Sequence, residues 1–226
     1  AGTNGKGSGC FYLEQALLGR GARTGTFLSP HAVRLGERFR IAGEEASPES
    51  IVRAADTLQQ AAGPLLEAAT TFEVLFLIGA ILFHEAGVTA SILETGLGGR
   101  LDTTNVVAPE AVLITPVALV HTAILGTTIT AIAREKAGII KAGIPCFTGA
   151  QEPAARAVLA ETAARLQAPF HDAAAIGHDW TGRGLEGGEY RCGKWRLPLR
   201  MPGRHQGENL HLVLHCLDTL GFNPPP

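Results

Sequence analysis

Eight residues at the start of the chain, Ala1-Gly2-Thr3-Asn4-Gly5-Lys6-Gly7-Ser8, are of the types that bind phosphate. Glycines permit tight turns in which consecutive N–H groups converge on one centre. A helical pattern follows from Cys10 to about Leu18, and its N-terminal end adds positive potential. Lys6 offers a mobile point charge, and Ser8 or Thr3 a hydroxyl for a phosphate-bound Mg2+. The spacing departs from GxxxxGK[ST], because Gly7 follows the lysine and Ser8 comes one place later. A plain glycine-rich turn before a helix is the competing reading.

Three more residues bear on the same chemistry. Ser29, Glu94 and His121 each follow an apolar segment that reads as a strand. In open α/β sheets, ligands bind outside the carboxyl ends of the strands. A hydroxyl, a carboxylate and an imidazole around nucleotide phosphates would suit Mg2+, although that ion prefers oxygen. Taken alone, His121 reads as a packed, hydrogen-bonded histidine. His211 and His215 lie four apart on a helical pattern, but Leu212 stands where a zinc-dependent hydrolase needs a glutamate, so a partly exposed helix face is expected. Gly96-Leu97-Gly98-Gly99 has the wrong spacing for a dinucleotide fingerprint, and position 118 is alanine where an acid would follow.

The elements that must hold these residues alternate. Arg23–Leu28, Val88–Leu93, Ala111–Thr115 and Pro145–Thr148 read as strands. Helical patterns run from Pro48 towards Ala62, over Phe72–Phe83, Ile129–Ile140 and Glu152–Leu166, and finally over Glu208–Leu220. The polar stretch with Arg34, Glu37, Arg38 and Arg40 reads as a loop. From His178 to Pro202 the pattern changes to short, glycine-rich pieces, expected to form a small antiparallel hairpin. The fold class expected is α/β: a mainly parallel, doubly wound phosphate-loop domain with that antiparallel piece near the C-terminus.

Composition narrows the function classes. A net charge of −2 over 226 residues leaves no electrostatic footprint for nucleic acid or an anionic membrane. The longest apolar run, Val74–Phe83, is too short to span a bilayer. Four scattered cysteines show no metal-site spacing and fit a reducing, cytoplasmic setting. Phosphate loops normally follow a buried strand, and none precedes Ala1. The chain also stops at Pro224-Pro225-Pro226, so it reads as a fragment.

Taken in order, the segments GTNGKGS, FLSPHAVRLGERFRI, TTFE, LETGLGGRLDTTN, HTAILGTTITAIAREKAGIIK and PGRHQGEN resemble the folylpolyglutamate synthase/dihydrofolate synthase family of the Mur ligase superfamily. The likeness runs from Gly2 to Asn209. It implies ATP-dependent ligation of L-glutamate to a folate or dihydropteroate carboxyl through an acyl phosphate. It assigns Gly2, Thr3, Asn4, Gly5, Lys6, Gly7 and Ser8 to the ATP phosphates, and Gln206 and Asn209 to the nucleotide base. Ser29, Glu94 and His121 fall on the family's Mg2+ ligands. Lys136 falls on a lysine carried as a carbamate, and with Lys6 and His121 completes the catalytic set. Thr70, Phe72 and Asp102 match a pterin pocket, with Phe72 stacking the ring and Asp102 accepting its N–H groups.

Residues 1–226 are thus expected to be one Mur-ligase-type ATP-binding domain, without its preceding strand or the C-terminal glutamate-ligase domain, in a cytoplasmic monomer with neither nucleic acid nor membrane as partner. Val120 departs from the family, which often has aspartate before the metal-site histidine, so an acid that would orient His121 is missing. An amide ligase acting on a cell-wall precursor and a non-catalytic nucleotide-binding remnant are the alternatives.

Overall fold

The computed structural model describes residues 1–222, so the terminal proline run lies outside the described residues. The chain forms two compact units. One comprises residues 10–97 and 102–106, the other residues 1–9, 98–101 and 107–222.

The unit built from residues 10–97 follows the order helix, strands, helices, strand. Helix α1 (Lys6–Leu18) leads to strand β1 (Thr24–Phe27). A 3-10 turn (Leu35–Arg38) precedes β2 (Phe39–Ile41) and the two-residue β3 (Glu44–Glu45). Helices α2 (Pro48–Ala62) and α3 (Thr71–Glu85) then lead to β4 (Ala90–Leu93). The sheet order is β3-β2-β1-β4, with β4 parallel to β1 and β2 antiparallel to it. Side chains alternate across β1. Phe27 meets Phe72 and Phe76 of α3 at ring-centroid distances of 5.6 and 5.8 Å, and a Cβ on Gly25 would strike the Phe83 ring. Leu28, with Ile92 of β4, packs on Cys10, Leu13 and Leu17 of α1. The sheet is therefore covered on both faces.

The stretch expected to be a loop contains β2. Its charges misled the reading, because Arg40 is neutralised by a partner distant in the sequence. Arg40 meets Glu14 of α1 at 3.0 Å, and Glu14 is fully buried. Phe39 is fully buried beside Phe27, which fixes β2 against β1.

In the other unit a parallel sheet, β5 (Val112–Ile114), β6 (Cys146–Thr148) and β7 (Phe170–Asp172), runs in the order 5-6-7. Between them come a short α4 (Thr122–Leu125), α5 (Ile129–Ala137) and α6 (Pro153–Arg165). Val112, Ile114 and Cys146 form one core with Ile132 of α5 and Leu159 of α6. Leu113 and Phe147 point the other way, onto Leu212 and Cys216 of the last helix, α7 (Arg204–Thr219). This is the doubly wound arrangement expected. The antiparallel piece has three strands instead of a hairpin's two, β8 (Asp179–Gly182), β9 (Gly188–Cys192) and β10 (Trp195–Leu199), with β9 central.

Candidate functional site

The glycine-rich loop of residues 1–8, expected to bind phosphate, is attached to its own unit by a dense set of hydrogen bonds. Thr3 N–H donates to Pro116 O at 2.9 Å, and Thr115 N–H donates to Ala1 O at 2.9 Å. Thr3 Oγ1 accepts from Ala118 N–H at 2.9 Å and donates to Ala118 O at 3.3 Å. The loop thus lies along the segment that leaves the C-terminal end of β5. Helix α1 begins at Lys6 rather than Cys10, which puts Lys6, Gly7 and Ser8 in its first turn. Two glycines are sterically required. Gly2 (φ +145°) presses on the Thr115 side chain and Gly5 (φ +83°) on the Asn209 amide, where a Cβ would collide. Asn209 is buried, so α7 braces the loop directly, and Gln206 lies half-buried one turn earlier.

Lys136 is 4% exposed, on the last turn of α5, and its Nζ donates to Gly2 O at 2.8 Å. Burial, and secondarily the charge of Lys6, push its pKa down to about 8. The segment around it packs on the GLGGR stretch. Gly99 lies against Ile139 and the carbonyls of Glu135 and Lys136, and Gly138 leaves no room for a Cβ beside Arg100. Arg100 donates through its backbone to Glu135 O at 2.8 Å and pairs with the Glu135 carboxylate at 3.0 Å. Gly99-Arg100 and the Glu135–Ile139 stretch are therefore each other's packing surface.

In the other unit, Ser29 and Glu94 are adjacent at the carboxyl ends of the parallel pair β1 and β4. Ser29 N–H donates to Glu94 Oε2 at 2.9 Å, and Glu94 is 6% exposed. The loop after Ser29 folds around Glu37, whose carboxylate accepts from the N–H groups of Ala32, Val33 and Arg34 at 2.6, 3.1 and 2.8 Å. These bonds hold the Glu37 carboxyl below its ordinary range.

Phe72 and Asp102 meet at one turn, and Thr70 lies two residues before Phe72 at the start of α3. Thr70 caps α3 in a reciprocal box with Glu73: its hydroxyl accepts from Glu73 N–H at 3.3 Å, and Glu73 Oε2 accepts from Thr70 N–H at 2.6 Å. The Phe72 ring lies against Gly96. Asp102 Oδ2 accepts from Gly96 and Leu97 N–H at 2.8 and 3.0 Å, while Oδ1 accepts from Thr104 N–H at 3.0 Å and Thr104 Oγ1 at 2.6 Å. All three therefore have structural work, and Phe72 and Asp102 address the same turn.

His121 belongs to the unit of the phosphate loop, whereas Ser29 and Glu94 belong to the other. It is exposed, in the left-handed conformation (φ +56°), at the start of α4, beside an exposed Val120. Among the described residues no cluster of three or more His, Cys, Asp and Glu side chains is poised for a metal. Hydroxyl and carboxylate oxygens, as at Ser29 and Glu94, are the donors a hard cation takes.

His211 departs from its expected place on a partly exposed face. It is buried, with Nε2 2.8 Å from Ala173 O and Nδ1 2.6 Å from Tyr190 Oη. The carbonyl can only accept, so Nε2 carries the proton and the tyrosine hydroxyl donates to Nδ1. Sequence reasoning also missed Gln151, Thr115 and Glu37. Only Glu37 had a local signal, as an acid shortly after a turn at Ser29-Pro30.

No protein-family model matches the chain. It is 40% identical over 238 residues to the dihydrofolate synthase/folylpolyglutamate synthase of Bacillus subtilis, covering 97% of this chain and 54% of that protein. It is 35% identical over 226 residues to the folylpolyglutamate synthase of Lacticaseibacillus casei, covering 94% of this chain and 52% of the relative. A solved structure described as an FPGS-AMPPCP-folate complex superposes with a TM-score of 0.91 at 30% identity, covering all of this chain and 58% of that one. The chain spans about half the length of these curated relatives.

Proposed function

Since the chain belongs to the folylpolyglutamate synthase/dihydrofolate synthase family, of the Mur ligase superfamily, we propose that it carries the ATP-binding part of a ligase joining L-glutamate to a folate or dihydropteroate carboxyl group. The observation that carries this reading is the phosphate loop, with its glycines at Gly2 and Gly5, Lys6 in the first turn of α1, and Thr3 docked on residues 116–118. A solved relative described as holding both an ATP analogue and folate supports the substrate pair. On this reading both units belong to one ATP-binding domain spanning 1–226, in a cytoplasmic monomer.

In the proposed reaction a substrate carboxylate oxygen attacks the γ-phosphorus of ATP, and ADP leaves. The glutamate amine then attacks the carbonyl of the acyl phosphate, phosphate departs and the amide forms. Such chemistry asks the protein chiefly to position reactants and neutralise charge. Residues 2–8 form the loop around the phosphates, which are held by the N–H groups at the start of α1 and by the Lys6 ammonium. Gln206 and Asn209 face the base. Phe72 offers a ring to the pterin and Asp102 a carboxylate to its N–H groups. Ser29 and Glu94, adjacent at the ends of β1 and β4, would offer oxygens to Mg2+, which supplies positive charge to nucleotide phosphates when bound. Lys136, with its pKa pushed down to about 8, keeps an appreciable neutral fraction at neutral pH. Its amine can add to CO2 with loss of a proton, giving a carbamate, and the charge beside Lys6 would then turn from repulsive to attractive.

Titrating the chain with AMPPCP by calorimetry, with and without Mg2+, tests the proposal. Saturable one-site binding is expected, weakened by at least about thirtyfold in Lys6→Ala, a charge-assisted contact being among the strong ones. Unchanged affinity in Lys6→Ala would overturn the phosphate-loop reading.

A further inference from the structure

Gln151 follows β6 and precedes α6, at the carboxyl end of the parallel sheet, and no role attaches to it from its sequence. Its side chain is half-buried and its amide is heavily engaged. Oε1 accepts from Val117 N–H at 2.9 Å. Nε2 lies 2.9 Å from Thr148 Oγ1, 3.1 Å from Thr115 O and 3.3 Å from Ile114 O. The opposite amide orientation would set an oxygen against two carbonyls and lose the Val117 bond, so the neighbours determine which end is which. One side chain therefore ties the end of β5 to the end of β6 and fixes the backbone over residues 114–117.

That backbone is the one on which the phosphate loop rests. Thr115 N–H holds Ala1 O, Pro116 O receives Thr3 N–H, and Ala118 exchanges two hydrogen bonds with the Thr3 hydroxyl. Gly2 lies hard against Thr115. We infer that Gln151 is a positioning residue for the phosphate loop: it sets the 114–118 segment on which Thr3 docks, and so governs how tightly the loop holds a nucleotide. The inference rests on the phosphate-binding reading of the loop.

The chemistry favours this residue type. The spot requires one acceptor and two donors at once, which only a carboxamide supplies at this length. Glutamate has the same shape, but its carboxylate would face three oxygen acceptors and add negative charge near a phosphate site. Lysine and arginine have no acceptor for Val117.

The test measures AMPPCP affinity by calorimetry, together with amide hydrogen exchange, on wild type, Gln151→Met and Gln151→Glu, at a temperature where each is folded by circular dichroism. Both variants are expected to bind AMPPCP about tenfold or more weakly, with Glu the worse. Exchange at Thr3 and Ala118 should quicken while β9 keeps its protection. In a double-mutant cycle with Thr3→Val, the two losses should be less than additive, since both act through the same docking. Gln151→Ser, which leaves room for a bridging water, replaces Met if that variant does not fold. A folded variant that binds AMPPCP as tightly as wild type, or strictly additive losses with Thr3→Val, overturns the inference and leaves the phosphate-loop reading intact. If wild type binds no AMPPCP, the phosphate-loop reading fails and the inference falls with it.

Discussion

The two units hold their strand-end loops with different chemistry. In the unit that carries the glycine-rich loop of residues 1–8, no carboxylate takes part in these ties: Thr3 to Pro116 and Ala118, Thr115 to Ala1, and Gln151 to Val117 and Thr115 join uncharged groups, and Lys136 Nζ to Gly2 O and the Ala1 amino group to Leu113 O are cationic. In the other unit the ties end on carboxylates. Glu37 gathers three backbone N–H groups, Glu94 takes Ser29 N–H, and Asp102 takes four donors around Gly96, Leu97 and Thr104. A carboxylate holds converging N–H groups more strongly than a neutral acceptor does. It also brings negative charge, which a polyanion would resist. The construction without carboxylates suits the phosphate role proposed for residues 2–8. The charged one suits loops that must stay ordered and that can share their oxygens with cations or N–H groups.

Breaking the construction without carboxylates by shape should have the largest effect. Gly5→Val requires a side chain at φ +83° where the Asn209 amide already sits. Loss of measurable AMPPCP binding by calorimetry is expected, with a fall in melting temperature, because both strain and collision act at one point. Retained binding would mean the loop is not held as described.

Breaking the charged construction should cost stability next. Asp102→Ala strands the N–H groups of Gly96, Leu97 and Thr104. A loss of about 1–3 kcal/mol in urea unfolding is expected. Asp102→Asn should fall between, since one end of its amide must face donors with a donor. If Asn and Ala are equivalent, the acceptor count is not what holds the turn.

A smaller effect separates the units by pH. His178 lies among His211, Glu208, Arg204 and Asp179, and His215 among His171, His211, Asp218 and Asp172. Burial above all pushes both below the ordinary histidine range. Each folded value is lower than the unfolded one, so below about pH 6.5 the unfolded chain binds protons that the folded chain refuses. Protection of α7 amides, corrected for intrinsic exchange rates, should therefore weaken from pH 6.5 downwards. Glu37 shifts the other way. Its contribution is present above the ordinary carboxylate range and lost only as pH falls through its lowered folded value. The amides of residues 32–34 should outlast those of α7 on acidification. Simultaneous loss would erase the distinction.

The smallest effect is at Glu37 itself. Glu37→Gln keeps an acceptor and loses the charge, on an exposed loop. Faster proteolytic nicking within residues 30–36, with an unchanged melting temperature, is the expected outcome. An unaltered cleavage rate would show that the loop is ordered by other contacts.

Much of this was legible because it is local. The alternation of apolar runs with helical patterns announced the doubly wound sheet, since period 2 and period 3.6 are written in consecutive residues. Glu94 and Ser29 were readable as strand-end residues for the same reason. Thr70 and Glu73 carry the spacing of a capping box, a signal available in the sequence beside the substrate role assigned to Thr70. Strand β2 was not legible. Its arginines look like surface until Glu14, 26 residues away, is found buried against Arg40.

The sequence by itself determined the family and the glycine-rich motifs, the N-terminal loop among them, because these are runs of neighbouring residues with backbone demands of their own. Only the tertiary structure decided what those motifs are for mechanically. Gly99 and Gly138 are small because GLGGR and REKAG lie against one another. Lys136 loses basicity because folding buries it and, secondarily, brings it near Lys6, some 130 residues away. Gln151 gained a role because β5 and β6 place residues 114–117 under its amide. Burial and donor–acceptor satisfaction are properties of three-dimensional neighbours, and the distances that set them exist only once the chain has closed on itself.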